Sequence, residues 1–423
     1  MSKRLRFTSL ALALILLISS LSMTSCIFSM NGEDYMTKAE VQQMINNGMS
    51  GNITVEGGDN FDVTINAADR ENAAAGKALL SVVSIDCVFK TAYTSSYQPG
   101  FSANKEKTSS GSGVIYKLDK NRGDAYIITN YHVVYYNQAN TENGISDDIT
   151  VYLYGQESSD YAIPATYVGG SMNYDLAVLK IDGSRVLAKS NAMAAEISNS
   201  DTVAVLDQAI AVGNPEDLGI SATLGYVNVD SEYISMEGAD GSTTITIRVM
   251  RMDTSVNSGN SGGGLFDCNG NLIGIVNAKL TSSENMSYAI PSNFVKYVTD
   301  NIIYYCDGVE NESVCRCYLG ITVAAKELYT VYDKETGRVL KRESVSVSSV
   351  DKTGLASGVI KVGDVINTIE IDGVAYEVTR MYAVTDAMLN ARVGSIVTVN
   401  VTRGNEQLSL NINITESALT KIK

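Results

Sequence analysis

The feature that most limits the fold is a series of short apolar runs between residues 76 and 306. "LLSVVSIDCVF", "GSGVIYKL", "AYIITNYHVV", "DITVYLY", "LAVLKI", "QAIAVG", "ITIRVMRM" and "LIGIVNAKL" follow one another with turn residues between them. Short Val/Ile-rich runs bounded by Gly, Asn and Asp are the pattern of β-strands. Long helical patterns are scarce, so the spacing predicts an all-β barrel or sandwich domain over residues 76–306. At its end, "IPSNFVKYVTDNIIYYC" places Phe294, Val298 and Ile302 on one face and predicts a closing amphipathic helix. The stretch "TAYTSSYQPGFSANKEKTSSGSG" reads as a polar loop.

A second, smaller module spans residues 316–416. It begins "CYLGITV", contains "TGLASGVIKVGDVINTIEIDG", and ends in alternating strands, "GSIVTVNVTRG" and "EQLSLNINI". Residues 27–75 read as a spacer. There "MTKAEVQQMI" carries a capping box, Thr37 with Glu40, and a staple of Met36 with Val41, which predicts a short docking helix. "ITVEGGDNFDVTINA" predicts a small hairpin around its Gly-Gly.

The N-terminus is an export signal in pattern. Lys3, Arg4 and Arg6 precede the apolar "LALALILLI", and a Ser-rich flank follows. That core is short for a membrane span, which needs ~20 apolar residues. "LSMTSC" resembles a lipobox ending at Cys26, with Met23 where Leu is usual. The alternatives are plain cleavage after a small residue, or an uncleaved anchor reaching Met23. Each of them exports residues 27–423, and lipidation of Cys26 would anchor the protein to the membrane outside the cytoplasm.

The net charge of −15 argues against a nucleic-acid binder, which needs clustered Lys and Arg. With Cys26 lipidated, five cysteines remain, an odd number. Cys315 and Cys317 lie too close for a simple mutual bridge, but either can pair with Cys306. One histidine in the whole chain gives a Cys/His zinc site little support, and no metal or cofactor is expected.

That single histidine narrows any search for nucleophilic catalysis. A hydroxyl needs a base within hydrogen-bond reach, a third group to orient the base, and donors for the oxyanion. His132 sits just beyond the apolar strand in "IITNYHVV". Ser261 lies among Gly259, Gly262 and Gly263 in "SVNSGNSGGGLFD", where glycines allow close backbone approach. "GNSGG" also fits the nucleophile elbow of α/β-hydrolases. That motif needs its His after the Ser, and none follows here. The order His, Asp, Ser requires an Asp between them. Asp175 heads the strongly apolar "LAVLKI", read as a period-2 strand, and is the best candidate. Asp147, Asp148, Asp160 and Asp182 lie in more polar contexts. The order Asp, His, Ser would need Asp119 or Asp124 and an α/β pattern, which is missing.

"GSGVIY", "IITNYHVV", "DLAVLKI", "AVGNP", "GNSGGGLFD" and "SYAIPSNFVKYV" occur in the order and rough spacing of the HtrA/DegP-like family, which the chain resembles over about residues 76–415. The resemblance implies an all-β dominated fold: a chymotrypsin-like double β-barrel protease followed by a small α+β PDZ domain. It implies His132 as general base, Asp175 as its orienter and Ser261 as nucleophile, with Gly259, Asn260 and Ser261 as the oxyanion-hole turn. Ser255, Val256, Asn277 and Ala278 would line the specificity pocket. In the PDZ module, Tyr318, Leu319, Gly320 and Ile321 match the carboxylate-binding loop. The expected function is an exported, membrane-tethered serine endoprotease acting on misfolded or unfolded proteins. Its partners would be those substrates, C-terminal peptides at the PDZ domain, the membrane through the N-terminal anchor, and further copies in a homotrimer. The competing reading is a protease-like scaffold that binds unfolded chains without turnover. Gly264 departs from the family, which often has Pro there.

Overall fold

The computed structural model describes residues 26–29, 53–57, 60–65, 67–94, 102–277, 286–309, 313–334 and 337–422. The signal sequence and the helix expected within residues 37–46 lie outside them. Strands β1 (Cys26–Ser29), β2 (Ile53–Gly57) and β3 (Asn60–Ile65) form a small sheet, in which β2 and β3 pair antiparallel with Gly57 opposite Phe61. Helix α1 (Ala67–Leu79) follows. It runs through residue 76, where the spacer was expected to give way to the barrel domain. Ala74 and Ala78 are buried in the core, and Lys77 bonds Glu196 and Asn271. The helix is therefore part of the barrel body, and the spacer ends before it.

Two closed barrels come next. The first comprises β4 (Val82–Thr94), β5 (Ser102–Asp119), β6 (Asp124–Thr129), β7 (Asp148–Leu153), β8 (Ile163–Ser171) and β9 (Leu176–Ile181). The second comprises β10 (Gln208–Gly213), β11 (Ser221–Glu237), β12 (Thr244–Met252), β13 (Gly264–Phe266), β14 (Leu272–Asn277) and β15 (Ser287–Pro291). The short helices α2 (Tyr131–Val134) and α3 (Arg185–Lys189) lie in connections of the first barrel and after it. Closure removes sheet edges, which is how many short strands avoid unpaired backbone.

One reading changes here. The stretch expected as a polar loop is mostly an extended hairpin: β4 and β5 pair out to Thr94 opposite Ser102. Its sequence is rich in Ser, Thr and Lys, so no regular apolar alternation announces it. β9, read as a period-2 strand, is buried on both faces. Ala177, Leu179 and Ile181 pack inside the first barrel, while Leu176 and Val178 join a cluster shared with the second barrel and the closing helix. A strand buried on both faces reads as a continuous apolar run.

Helix α4 (Ser292–Cys306) buries Phe294, Val298 and Ile302, the expected face, against that shared cluster. The C-terminal module follows. β16 (Val314–Cys317) pairs with β23 (Leu419–Ile422), and a six-stranded sheet contains β17 (Ile321–Tyr332), β18 (Val339–Val350), β19 (Val365–Ile371), β20 (Val374–Glu377), β21 (Ile396–Arg403) and β22 (Glu406–Asn413). Helix α5 (Met381–Ala387) lies between β20 and β21 in the chain. The β16–β23 pair widens the module beyond residues 316–416 to 314–422.

The module docks on the second barrel through charge. Arg248 of β12 reaches Asp386 of α5 at 2.5 Å, both side chains buried, and its guanidinium lies 3.8 Å from the Tyr382 ring centre. Asp230 of β11 receives Lys341 at 3.1 Å and Arg380 at 3.2 Å, and Arg338 reaches Asp207 at 3.0 Å. From α4, the fully buried Asn301 donates to the carbonyls of Cys315 and Leu389 and accepts the Cys315 N–H.

Asn301→Ala strands three backbone groups and should cost about 2–4 kcal/mol, read from urea denaturation. Burial pushes the Asp386 carboxyl up to about 6 against the opposing pull of Arg248. The fold then holds that proton more tightly than the open chain does. Its contribution is full below pH 3.8, the ordinary value, and is lost as pH rises through about 6. The stability of wild type minus that of Asp386→Asn should therefore fall across that window. A rise would mean that Arg248 outweighs burial.

Candidate active site

His132 lies in α2, one turn after β6 ends, with Asn130 at the helix N-terminus. Asp175 closes the turn between β8 and β9, its N–H donating to the Met172 carbonyl at 3.2 Å. The two meet: His132 Nδ1 lies 2.7 Å from Asp175 Oδ2, and the His132 backbone N–H donates to Oδ1 at 3.0 Å. An ionised carboxylate only accepts, so Nδ1 carries the proton and Nε2 is left as the acceptor.

Asp175 is buried and has φ of 49°, a left-handed conformation uncommon outside glycine but less so for Asp. Its surroundings hold it there. Besides the His132 bonds, Asn277 Nδ2 donates to Oδ2 at 2.8 Å and Asn130 Nδ2 donates to the Asp175 carbonyl at 2.8 Å. Asn277 ends β14 in the second barrel, so the carboxylate is gripped from both barrels.

Ser261 sits buried in the turn before β13. Its carbonyl accepts the Ser112 N–H of β5 at 2.8 Å. Gly111 places the serine turn next to the histidine helix: a Cβ there would lie 2.6 Å from the Val133 side chain and 3.3 Å from the Ser261 carbonyl. Gly262 has φ of +84°, and a Cβ on it would fall 2.2 Å from the Ser112 carbonyl and 2.3 Å from Thr129 Oγ1. Only glycine fits against β5 and β6 at that point. His132, Asp175 and Ser261 thus share the junction of the barrels.

The expected oxyanion turn divides into different roles. The Ser258 carbonyl accepts the Glu216 N–H at 2.8 Å. In a trans peptide the N–H points opposite the C=O, so the Gly259 N–H faces away from Glu216. The Gly259 carbonyl is fixed by Ser112 Oγ at 2.7 Å. The Asn260 N–H donates to the Asn257 carbonyl at 3.1 Å, so Asn260 closes the turn and is not an oxyanion donor. Gly264 is also explained: a Cβ there would lie 2.3 Å from the Phe266 ring.

Of the residues expected to line the specificity pocket, Ser255 and Val256 precede the serine turn and Asn277 ends β14. Ser255 is exposed, its carbonyl accepting from Thr223 Oγ1, and Val256 packs on the second-barrel core. Asn277 donates to Asp175. Ala278 lies outside the described residues. Sequence reasoning also missed Ser112 and Asn214. Ser112, fully buried, donates to Gly259 and accepts the Asn214 N–H at 2.8 Å. Asn214 donates to Ser84 Oγ at 2.7 Å and accepts the Gly219 N–H at 2.8 Å. The available signal was a polar residue inside or ending an apolar strand.

With this geometry in place, comparisons with known proteins fit it. The trypsin-like peptidase domain family matches residues 111–275. The serine protease Do-like HtrA of Lactococcus lactis subsp. cremoris is 29% identical over 380 residues, covering 84% of this chain and 85% of that protein. The chain is a homologue of the HtrA/DegP serine proteases. The Do-like HtrA of Bacillus subtilis is 30% identical, covering 74% of this chain and 65% of that protein. Periplasmic serine endoprotease DegP of Escherichia coli K12 is 29% identical, covering 74% and 58%. The chain thus spans less than two thirds of the length of those last two relatives. The trypsin-like domain and these relatives make the HtrA/DegP homologue a serine endopeptidase.

Asn277→Ala removes a donor to a carboxylate, a bond worth ~1.5–3 kcal/mol. Steady-state kinetics should show kcat reduced roughly 10–100-fold with KM little changed.

Proposed function

We propose that this chain is an exported serine endoprotease that cleaves unfolded or misfolded envelope proteins through an acyl-enzyme. Ser261 is the nucleophile, His132 the base and Asp175 its orienter. The observation that carries the reading is the 2.7 Å His132–Asp175 contact at the barrel junction, with the serine turn packed beside it.

The chemistry follows from the atoms. Ser261 Oγ attacks the peptide carbonyl while its proton passes to His132 Nε2. The Nδ1–H stays bonded to Asp175, which stabilises the imidazolium that forms. The N–H groups of Gly259 and Ser261 receive the oxyanion. Collapse expels the amine, which takes the proton from Nε2 and leaves an ester on Ser261. Water then gives a proton to Nε2 and attacks the ester, and collapse returns the proton to Ser261.

In this reading the C-terminal module is a PDZ domain. β17 is an edge strand, so an extended peptide can add beside it. The loop of Tyr318, Leu319, Gly320 and Ile321 opens that strand and is braced: Tyr318 N–H donates to the Ala418 carbonyl and Gly320 accepts the Asp351 N–H. A peptide carboxylate would sit on this loop. The N-terminal signal and Cys26 would tether the protein to the cell envelope; DegP of Escherichia coli is described as periplasmic. No helix among the described residues is long and apolar enough to cross a membrane.

A fluorophosphonate probe should label wild type but not Ser261→Ala, and turnover of a casein substrate should drop at least ~10⁴-fold in the variant. Folded wild type that binds casein and is never labelled would support the non-turnover scaffold instead.

A further inference from the structure

We propose that Arg316 is a positioning residue for catalysis, tying the turn that carries Asp175 to the 318–321 loop of the C-terminal module. The proposal rests on Asp175 being the residue that orients His132.

Arg316 lies on β16, a strand held by β23 on one side and by Asn301 of α4 at the adjoining Cys315. Its guanidinium forks. Nη1 donates to the Tyr174 hydroxyl at 3.2 Å, and Nη2 donates to the Tyr318 hydroxyl. Tyr318 is the first residue of the loop. Tyr174 is the residue immediately before Asp175.

Tyr174 is fixed at two points. Its ring meets Phe294 of α4 edge-on, with centroids 5.1 Å apart, and its hydroxyl accepts from Arg316. Burial pushes that hydroxyl up to about 12, so it stays a neutral acceptor for the guanidinium. The turn from residue 172 to 175 is tight, and its last residue has φ of 49°. A positive φ at Asp persists only where its surroundings enforce it. The hydrogen bonds of His132, Asn277 and Asn130 hold Asp175 itself. Arg316 supplies the anchor on the preceding residue, and it comes from the C-terminal module. A planar fork can hold two hydroxyls at once in fixed geometry, which a lysine ammonium on a flexible stem does less well. Moving Tyr318 therefore moves Arg316, and through Tyr174 it displaces the carboxylate that aligns His132.

The test uses the full chain, with fluorescein-labelled casein as substrate. Tyr174→Phe, Arg316→Lys, Tyr318→Phe and the double variant Tyr174→Phe/Arg316→Lys are compared, with Asp175→Asn as control. Misplacement of a catalytic group by about 1 Å costs ~100-fold, so kcat should fall roughly 10–100-fold in Tyr174→Phe and Arg316→Lys with KM held. The double variant should be no slower than the worse single one. His132 is the only histidine, so ¹⁵N-histidine labelling gives one imidazole to follow, and its Nδ1–H signal should shift or broaden in the same variants. Tyr318→Phe loses only an exposed hydroxyl and should show the same direction of change even if Tyr174→Phe is poorly folded. Unchanged kcat and an unchanged His132 signal in folded Arg316→Lys and Tyr318→Phe would overturn the link, as would additive losses in the double variant. If Asp175→Asn itself leaves kcat unchanged, the catalytic reading falls, and the link with it.

Discussion

The Asp175 carboxylate is where the two barrels are joined for function. It receives the His132 ring and backbone N–H from the first barrel and the Asn277 amide from the second. A buried carboxylate without such partners would be expensive, and each donor is bought by the position of a strand end or a short helix. Asn277 can reach it because β14 carries it to the junction of the barrels. His132 can reach it only because β6 stops at Thr129 and the chain turns into α2. The serine turn is set by the same junction, since Ser112 of β5 holds both the Gly259 and Ser261 carbonyl ends of it.

Much of this was legible from residue types alone. The strand runs announced an all-β domain, and the lone histidine reduced the catalytic search to a question of order. Asp175 stood out because apolar sequence follows it directly. The same sequence left open that β9 is buried on both faces, because a strand between two cores and a strand with one wet face can begin alike. The outer part of the β4–β5 hairpin was hidden for the opposite reason: a run rich in Ser, Thr and Lys leaves no apolar alternation to read. The Asn277 bond to Asp175 was not legible. Sequence spacing puts a residue at a strand end, but that its amide donates to a carboxylate depends on a residue 102 positions away.

The second barrel does two jobs at once. Its inner strands complete the site, and its outer surface carries Asp207, Asp230 and Arg248, which receive the C-terminal module. The buried Arg248–Asp386 pair is weak evidence for stability, because desolvation offsets much of its attraction. Its geometry is specific, however, and it fixes α5 against β12 in one orientation.

The β16–β23 pairing has a consequence for how the molecule can be divided. β23 returns from the far end of the module to pair with the strand that enters it. A fragment trimmed at residue 416 would lose β23 and leave β16 with an unpaired backbone edge, the kind that recruits strands from other chains. It would also lose the Ala418 carbonyl that holds Tyr318. The entrance and exit of the module are thus a single clasp, and a separable unit has to run from 314 to 422.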